Sequence, residues 1–553
     1  MGRINNQGSN QQTLAHQVLE WIVRAPRPLT ITEIQHAIAV ELDNPDARLD
    51  DENLSQEDCL VSVCAGLVTV DRETGVVRLV HYTAKEFFDR TQDLWFPRQQ
   101  TDLTRVCLKY LSFEELTGSC GNDREYEERL GKHGFFRYAA ENLGYHAQRS
   151  DMSTVDQSIL GILGINGKLE ALSQVLFSVA PGESRRTPYP GYSQLFPRRV
   201  GGIHLAAYFG LHSIVETILS KTATDHMDGS GMTALCWAAM GGHLEVVQLL
   251  LARGANAEIK DGSSMTPLLL ATRNRHLAVV HRLLAGGAGI ESRDSNGQTS
   301  LSWAVSLGCL DLAHLLLARG ANVEATDDKD RTPLSHGARK GSVAIVKMLL
   351  DAGAKVDTVD YDNRTPLSFA VKHSAVVDLL VHAGADLNIK DRRNRTPLSF
   401  AAYGGHHLTV KLLLDHGSDI NARDADGQTP LLLATMKGYQ NIVSLLLSRE
   451  SDTGTSGFDR QTLLSWAAQN GDAKIFSMLL GQGGDSVDID RFGHLFWTIQ
   501  NEHDDASVTP ENTATTITSI EREEEDVSAT AGQILLDQNA VDIRGSNGYV
   551  GQT

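Results

Sequence analysis

The chain has 553 residues, with 69 Asp and Glu against 50 Lys and Arg, a formal charge of −19. That balance speaks against nonspecific binding to nucleic acid or an anionic bilayer, since both need a basic face. No uninterrupted apolar run approaches the ~20 residues of a membrane span, and the first dozen residues lack the apolar core of a secretory signal.

In chain order, residues 1–12 (MGRINNQGSNQQ) carry no apolar pattern and are expected to be disordered. TLAHQVLEWIVRA follows, with Leu14, Val18, Trp21 and Ile22 at helical spacing and Pro26 and Pro28 ending the helix. Thr30 or Thr32 can cap a second helix, TEIQHAIAV. An acidic loop (41–58) and a third apolar helix, EDCLVSVCA, come next. GLVTVDRETGVVRLVHYTAKEFF then reads as strand, turn at 73–75, strand and closing helix. Helices followed by a two-stranded wing describe a winged helix, placed over 13–115, with a helical connector over 116–197. Residues 13–97 hold seven Lys and Arg against fifteen Asp and Glu. TEIQHAIAV, taken as the recognition helix, has no cation, so DNA is not an expected ligand.

Beyond residue 198 a period takes over. Thr233, Thr266, Thr299, Thr332, Thr365, Thr396, Thr429 and Thr462 recur at intervals of 33, 33, 33, 33, 31, 33 and 33 residues. A fixed period near ~33 means one supersecondary unit stacked on itself. In RTPLSHGARKGSVAIVKMLLDAGAKVDTVDYDN, Thr332 is placed to cap a first helix and Pro333 suits its first position. Gly341 ends that helix. Ile345, Val346, Leu349 and Leu350 form the apolar stripe of a second helix, and 356–363 reads as an extended finger. The 31-residue interval places two missing residues in the turn before His373, with the register recovering at Val376, Val377 and Leu379. The array is assigned to 198–500, as about eight to nine repeats. Residues 501–530, with nine acidic residues and one arginine, read as disordered, and 531–553 as a degenerate or truncated repeat.

This helix–turn–helix–finger order, with its TPL, GH and LL-x-x-GA wording, resembles the ankyrin repeat family, and the fold class expected is mainly α. RPLTITEIQHAIAVE, LVSVCAGLVTVD, VRLVHYTAKEFF and YLSFEE resemble the winged-helix segment that follows the NACHT nucleotidase in fungal NACHT–ankyrin proteins, relatives of NLR-type immune receptors. EERLGKHGFFRYAAENLGYHA is similar to the helical connector of those proteins. The phosphate loop of the nucleotidase is not found. In GILGINGKLE, Ile162 stands where the first glycine belongs and Leu169 where Ser or Thr would hold Mg²⁺.

Packing accounts for several of the recurrent columns. His243, His276 and His406 fall at the turn between helices, where a structural hydrogen bond accounts for their recurrence. Trp237, Trp303, Phe369, Phe400 and Trp466 share a column with Leu205, Leu270 and Leu433, which marks a packing position. Six cysteines show neither C-x-x-C pairing nor a histidine spacing for zinc. No metal site, cofactor or catalytic residue is expected, nor any enzyme activity. The partner-binding candidates lie at the end of the first helix, on the concave side expected of such an array: Tyr208, Met240, Arg273, Arg339, Lys372, Tyr403, Met436 and Gln469. Finger tips add Lys260, Asp294, Asp328, Asp362, Arg392, Arg393 and Asp426. These features imply a non-enzymatic protein–protein interaction scaffold, cytoplasmic with the nucleus as the other address. The resemblance implies a full-length NACHT protein as one partner. The alternatives are a transcriptional regulator and an accessory ankyrin protein of a fungal specialised-metabolite gene cluster.

Overall fold

The computed structural model of the chain describes residues 1–43, 53–96, 100–178, 190–450 and 457–481. It separates into two compact units, Met1–Asp386 and Leu387–Thr553. The expected acidic segment (501–530), the degenerate repeat (531–553) and the array's last stretch (482–500) lie outside the described residues.

The first unit opens with α1 (Gly2–Asn5) and α2 (Ser9–Arg24). Residues 2–5 and 9–12 are therefore helical rather than disordered. Ile4 is fully buried, and the Gln12 amide donates to the carbonyls of Asn5 and Gln7, both at 2.7 Å. One isoleucine and one amide side chain anchor a segment whose apolar content is low. In α3 (Ile31–Ile38), Thr30 takes the cap: its hydroxyl accepts the Glu33 N–H, and the Glu33 carboxylate accepts the Thr30 N–H.

The strands β1 (Val68–Val70) and β2 (Val77–Leu79) pair antiparallel behind α4 (Glu57–Val63), and α5 (Tyr82–Trp95) closes the wing. This order makes α4, not α3, the second helix of the helix-turn-helix pair. Its exposed residues are Glu57, Asp58, Cys59 and Ser62.

Next come α6 (Gln100–Ser112), α7 (Asp123–Lys132), α8 (Phe136–Ala147), α9 (Met152–Leu163) and α10 (Asn166–Phe177). Helix α6 packs on α8 and α9, so the connector starts at residue 100 rather than 116. The Trp21 indole of α2 meets Phe135, Tyr138 and His146 edge-on, at 5.3, 5.9 and 5.8 Å between ring centres. Winged helix and connector thus share one aromatic core. Lys168, the lysine of the failed phosphate loop, is buried. Its ammonium donates to the carbonyls of Phe113 and Leu116 just beyond α6, which is a capping role.

Six repeats follow in the first unit. Their first helices are Gly202–Tyr208, Ala234–Gly241, Pro267–Arg273, Ser300–Leu307, Pro333–Lys340 and Pro366–Ala370. The second helices are His212–Leu219, Leu244–Ala252, Leu277–Ala285, Leu310–Ala318, Val343–Asp351 and Ser374–His382. The second unit has first helices Pro397–Tyr403, Pro430–Met436 and Gly457–Gln469, with second helices His407–Asp415, Gln440–Glu450 and Ala473–Gly481. Within each unit, first helices pack on first helices and second on second. The repeat threonines from Thr233 to Thr429 cap their helices, accepting the N–H three residues on at 3.3–3.4 Å.

Two expectations change. The shortened repeat loses residues from the end of its first helix as well as from the turn, since Pro366–Ala370 has five residues where Pro333–Lys340 has eight. The buried positions after it are Val376, Val377 and Leu380, with Leu379 half-buried. Thr462 does not start a helix, because that helix already begins at Gly457.

Connector and array meet in one joint. The Gln148 amide donates to the Phe209 carbonyl at 2.6 Å, and Phe177 of α10 lies 5.2 Å from Tyr208 and 4.9 Å from Trp237. The connector therefore covers the apolar end of the first repeats, the role of a cap in a repeat protein.

His146 gives this core a pH dependence. Burial, with the Arg149 cation adding to it, pushes the imidazole down to about 4. A depressed folded value means the stabilisation is complete above the unfolded value of ~6.5 and is lost as pH falls towards 4, up to about 3 kcal/mol. Thermal melts between pH 7.5 and 4.5 should show stability falling with acid. In His146→Gln the slope should shrink by about one proton.

Candidate protein-binding face

Each finger is built around one carboxylate. Asp228, Asp261, Asp294, Asp327, Asp360, Asp391 and Asp424 stand five residues before their repeat threonines. All are buried except the half-buried Asp261. In each, Oδ1 accepts the N–H groups two and four residues on. For Asp294 these are Asn296 at 2.9 Å and Gln298 at 2.8 Å; for Asp360, Asp362 at 2.9 Å and Arg364 at 2.8 Å. The residue three after the Asp takes left-handed backbone, φ 57 to 80°, and is Gly, Asn, Asp or Ser.

In five of the seven the second oxygen, Oδ2, ties the finger to its own first helix, and two sequence columns divide the task. Where the helix offers an indole, it donates directly: Trp237 to Asp228 at 3.0 Å and Trp303 to Asp294 at 2.9 Å. Phe369 and Phe400 have no donor. There Arg364 and Arg395 bond Asp360 and Asp391, and their guanidinium groups lie 4.9 and 4.5 Å from the phenyl ring centres. His336 and Arg331 share Asp327. Burial alone would raise Asp327, yet the hydrogen bonds from His336 and Arg331 outweigh it and hold the carboxyl below the usual range. Asp424 takes its bonds from the backbone N–H groups of Asp426 and Gln428, and there burial prevails and raises the carboxyl.

The aromatic column is therefore a joint between finger and helix as well as a packing position. Trp237 is fully buried, while Trp303, Phe369 and Phe400 are half-buried. Sequence reading missed the aspartate column, although it repeats at the same intervals as the threonines. It is also what the last repeat lacks: Gly457 holds that register before Thr462, and the helix runs back to it.

Asp294 is accordingly a buried structural residue and not a finger-tip contact. The remaining candidates do lie at the tips. Asp328, Arg392, Arg393 and Asp426 are exposed. Asp362 pairs with Arg364 at 2.8 Å, and Lys260 donates to the Arg293 carbonyl at 3.1 Å. Tip backbones are joined from repeat to repeat by N–H to carbonyl bonds: Gly262 to Ser230, Ser295 to Ser263, Asp328 to Asn296, Tyr361 to Lys329, and in the second unit Ala425 to Arg393. A second ladder runs through the turns after the second helices. There Glu258, Glu291 and Glu324 accept the N–H groups of Gly289, Asn322 and Lys355 at 2.6–2.8 Å.

At the ends of the first helices, His243 and His276 donate through Nε2 to the carbonyls of Tyr208 and Met240 at 2.6 and 3.0 Å, the structural bond expected of them. Tyr208 is half-buried. It packs against Phe177 and Trp237, and burial raises its phenol. Met240 is half-buried, whereas Arg273, Arg339 and Lys372 are exposed. In the second unit Tyr403 and Gln469 are exposed and Met436 half-buried, with the Lys437 ammonium 4.6 Å from the Tyr403 ring centre.

The fingers supply a direct contrast. Asp294→Ala strands the Asn296, Gln298 and Trp303 donors and should cost about 2–4 kcal/mol in urea denaturation. Asp328→Ala, at the exposed tip of the next finger, should stay within about 0.5 kcal/mol.

Comparison with known proteins agrees with this architecture. Residues 203–294, 258–327, 301–391 and 375–457 match the family model for ankyrin repeats, and residues 3–95 match that of the GPI inositol-deacylase winged helix domain. The latter bounds begin before residue 13 and end before α6. Over 273 residues the chain is 25% identical to the azaphilone pigments biosynthesis cluster protein L of Monascus ruber, 43% of this chain and 55% of that protein. The chain thus matches about half the length of that relative. It is a mainly helical protein with an N-terminal winged-helix domain of the GPI inositol-deacylase type at residues 3–95 and ankyrin repeats from about residue 200 to 457.

Proposed function

We propose that the chain is a non-enzymatic, cytoplasmic scaffold or regulator that holds a protein partner against the ends of its first helices and its finger tips. The observation that carries this reading is the state of Arg273, Arg339 and Lys372. They are exposed at the turn ends of side-by-side helices, in repeats whose finger carboxylates already have their hydrogen bonds. Ankyrin repeats suggest protein binding, and long polar side chains over a rigid backing are suited to it. The outward face of α4 is acidic and without a cation, which favours a protein contact over DNA for the winged helix.

Kinship with fungal NLR-like proteins, with a full-length NACHT protein as partner, belongs to the same proposal and is supported by the winged-helix and connector wording. A second reading is favoured by the relatedness to the azaphilone cluster protein: an accessory role in a specialised-metabolite gene cluster. A strain lacking this chain would then change its output of one such metabolite, and an unchanged profile removes that reading.

The test of the binding face is capture from native lysate of the source organism by wild type and by the Arg273→Ala, Arg339→Ala, Lys372→Ala triple variant. The variant should lose about tenfold or more of specific capture. Its melting temperature should stay close to wild type, because none of the three side chains is buried. Equal capture by both proteins would remove these helix ends from the function.

A further inference from the structure

Charge in the first unit is sorted by position. The first helices and turns over residues 267–276, 300–309, 333–342 and 366–374 contain no Asp or Glu. They contain five Lys and Arg, at Arg273, Arg275, Arg339, Lys340 and Lys372, all exposed. In a chain of net charge −19 this is a local reversal of sign. The acidic residues lie in the fingers, as at Asp327 and Asp360, or on the second helices, as at Asp311, Asp351 and Asp378.

The finger carboxylates do not neutralise the strip. Asp327 is taken by Arg331 and His336, and both Asp360 and Asp362 by Arg364. Arg275 is fixed by its bond to the Leu307 carbonyl at 3.2 Å. Arg339 differs: among the described residues its guanidinium has neither a hydrogen bond nor an ion pair. Partial burial, and then the cations of Arg331 and Arg364, weaken its hold on its proton, with Asp327 acting in the opposite sense. An anion placed beside Arg339 would relieve that repulsion.

We propose that the turn ends of the first helices, from Arg273 to Lys372, form a docking strip for an extended acidic segment of a partner protein, whose Asp and Glu side chains pair with Arg273, Arg339, Lys340 and Lys372. This rests on the protein-binding reading above and names the partner's chemistry. Packed helices lie about 8–10 Å apart, and an extended chain advances about 3.3 Å per residue. An acidic residue at every third position therefore presents one carboxylate to each repeat.

The experiment is fluorescence anisotropy on the full chain with a labelled ~15-residue peptide carrying Glu at every third position. The controls are the same peptide with Gln and a single-stranded oligonucleotide of equal charge. The Glu peptide should bind about tenfold or more tightly than the Gln peptide and weaken as salt rises from ~50 to ~300 mM. Arg339→Glu with Lys372→Glu should cost about tenfold or more, and the milder Arg339→Gln with Lys372→Gln a smaller loss in the same direction. Lys347→Glu, exposed on the second helix of the same repeat, should stay within about twofold. Equal binding of Glu and Gln peptides, an equal loss in Lys347→Glu, or tighter binding of the oligonucleotide would each overturn the proposal. Panning a random peptide display library on wild type separates the two levels. Acid-rich peptides lost in the double variants support the strip. Neutral peptides lost in the same variants overturn the acidic partner and leave protein binding at this face standing. Recovery of no peptide sensitive to these variants overturns both.

Discussion

The array depends on the carboxylates at the base of its fingers, buried at every one of the seven positions but Asp261. One oxygen closes the hairpin by accepting two backbone N–H groups, and in five of the seven the other bonds the helix that follows or the arginine just before it. A buried carboxylate is costly unless each of its oxygens is bonded. The helix residue and the residue before the threonine therefore vary together. An indole donates alone, a phenylalanine is accompanied by an arginine that bonds the Asp and covers the ring, and a histidine shares the carboxylate with an arginine. Where the aspartate is missing, at Gly457, the helix extends through the position where a finger would have stood.

The same chemistry gives many of the array's acidic residues a structural task. Aspartates in the fingers and glutamates after the second helices serve as acceptors for backbone N–H groups, several of them belonging to the next repeat. These carboxylates are structural, placed where an N–H would otherwise be unsatisfied. What remains for a partner is the opposite end of the first helices, which carries no carboxylate over four consecutive repeats. The net charge of the whole chain and the charge of its proposed binding strip have opposite signs.

The N-terminal part is tied to the repeats by aromatic packing. Trp21 joins the winged helix to the connector, and Phe177 joins the connector to Tyr208 and Trp237 of the first repeats. The connector is both the far wall of the winged-helix core and the cap on the array. A change at Trp21 would therefore be felt at the joint with the repeats, because its partner Phe135 precedes α8 and its partner His146 lies within α8, whose Gly144 lies against Phe209.

The sequence by itself determined the repeat and its register, the threonine caps, the winged helix and the general place of the exposed helix ends. Each rests on periodicity or on a residue type with one local conformational preference, and neither needs a distant neighbour. It also contained the aspartate column at the same spacing as the threonines, but an acidic residue in a polar finger reads as surface until its donors are seen. Only the tertiary structure decided that Asp294 is buried, that Tyr208 packs on Phe177, that α6 belongs with the connector and that helices stand at residues 2–5 and 9–12. Those outcomes hang on contacts between segments tens of residues apart, where burial comes from a neighbour that no local pattern announces.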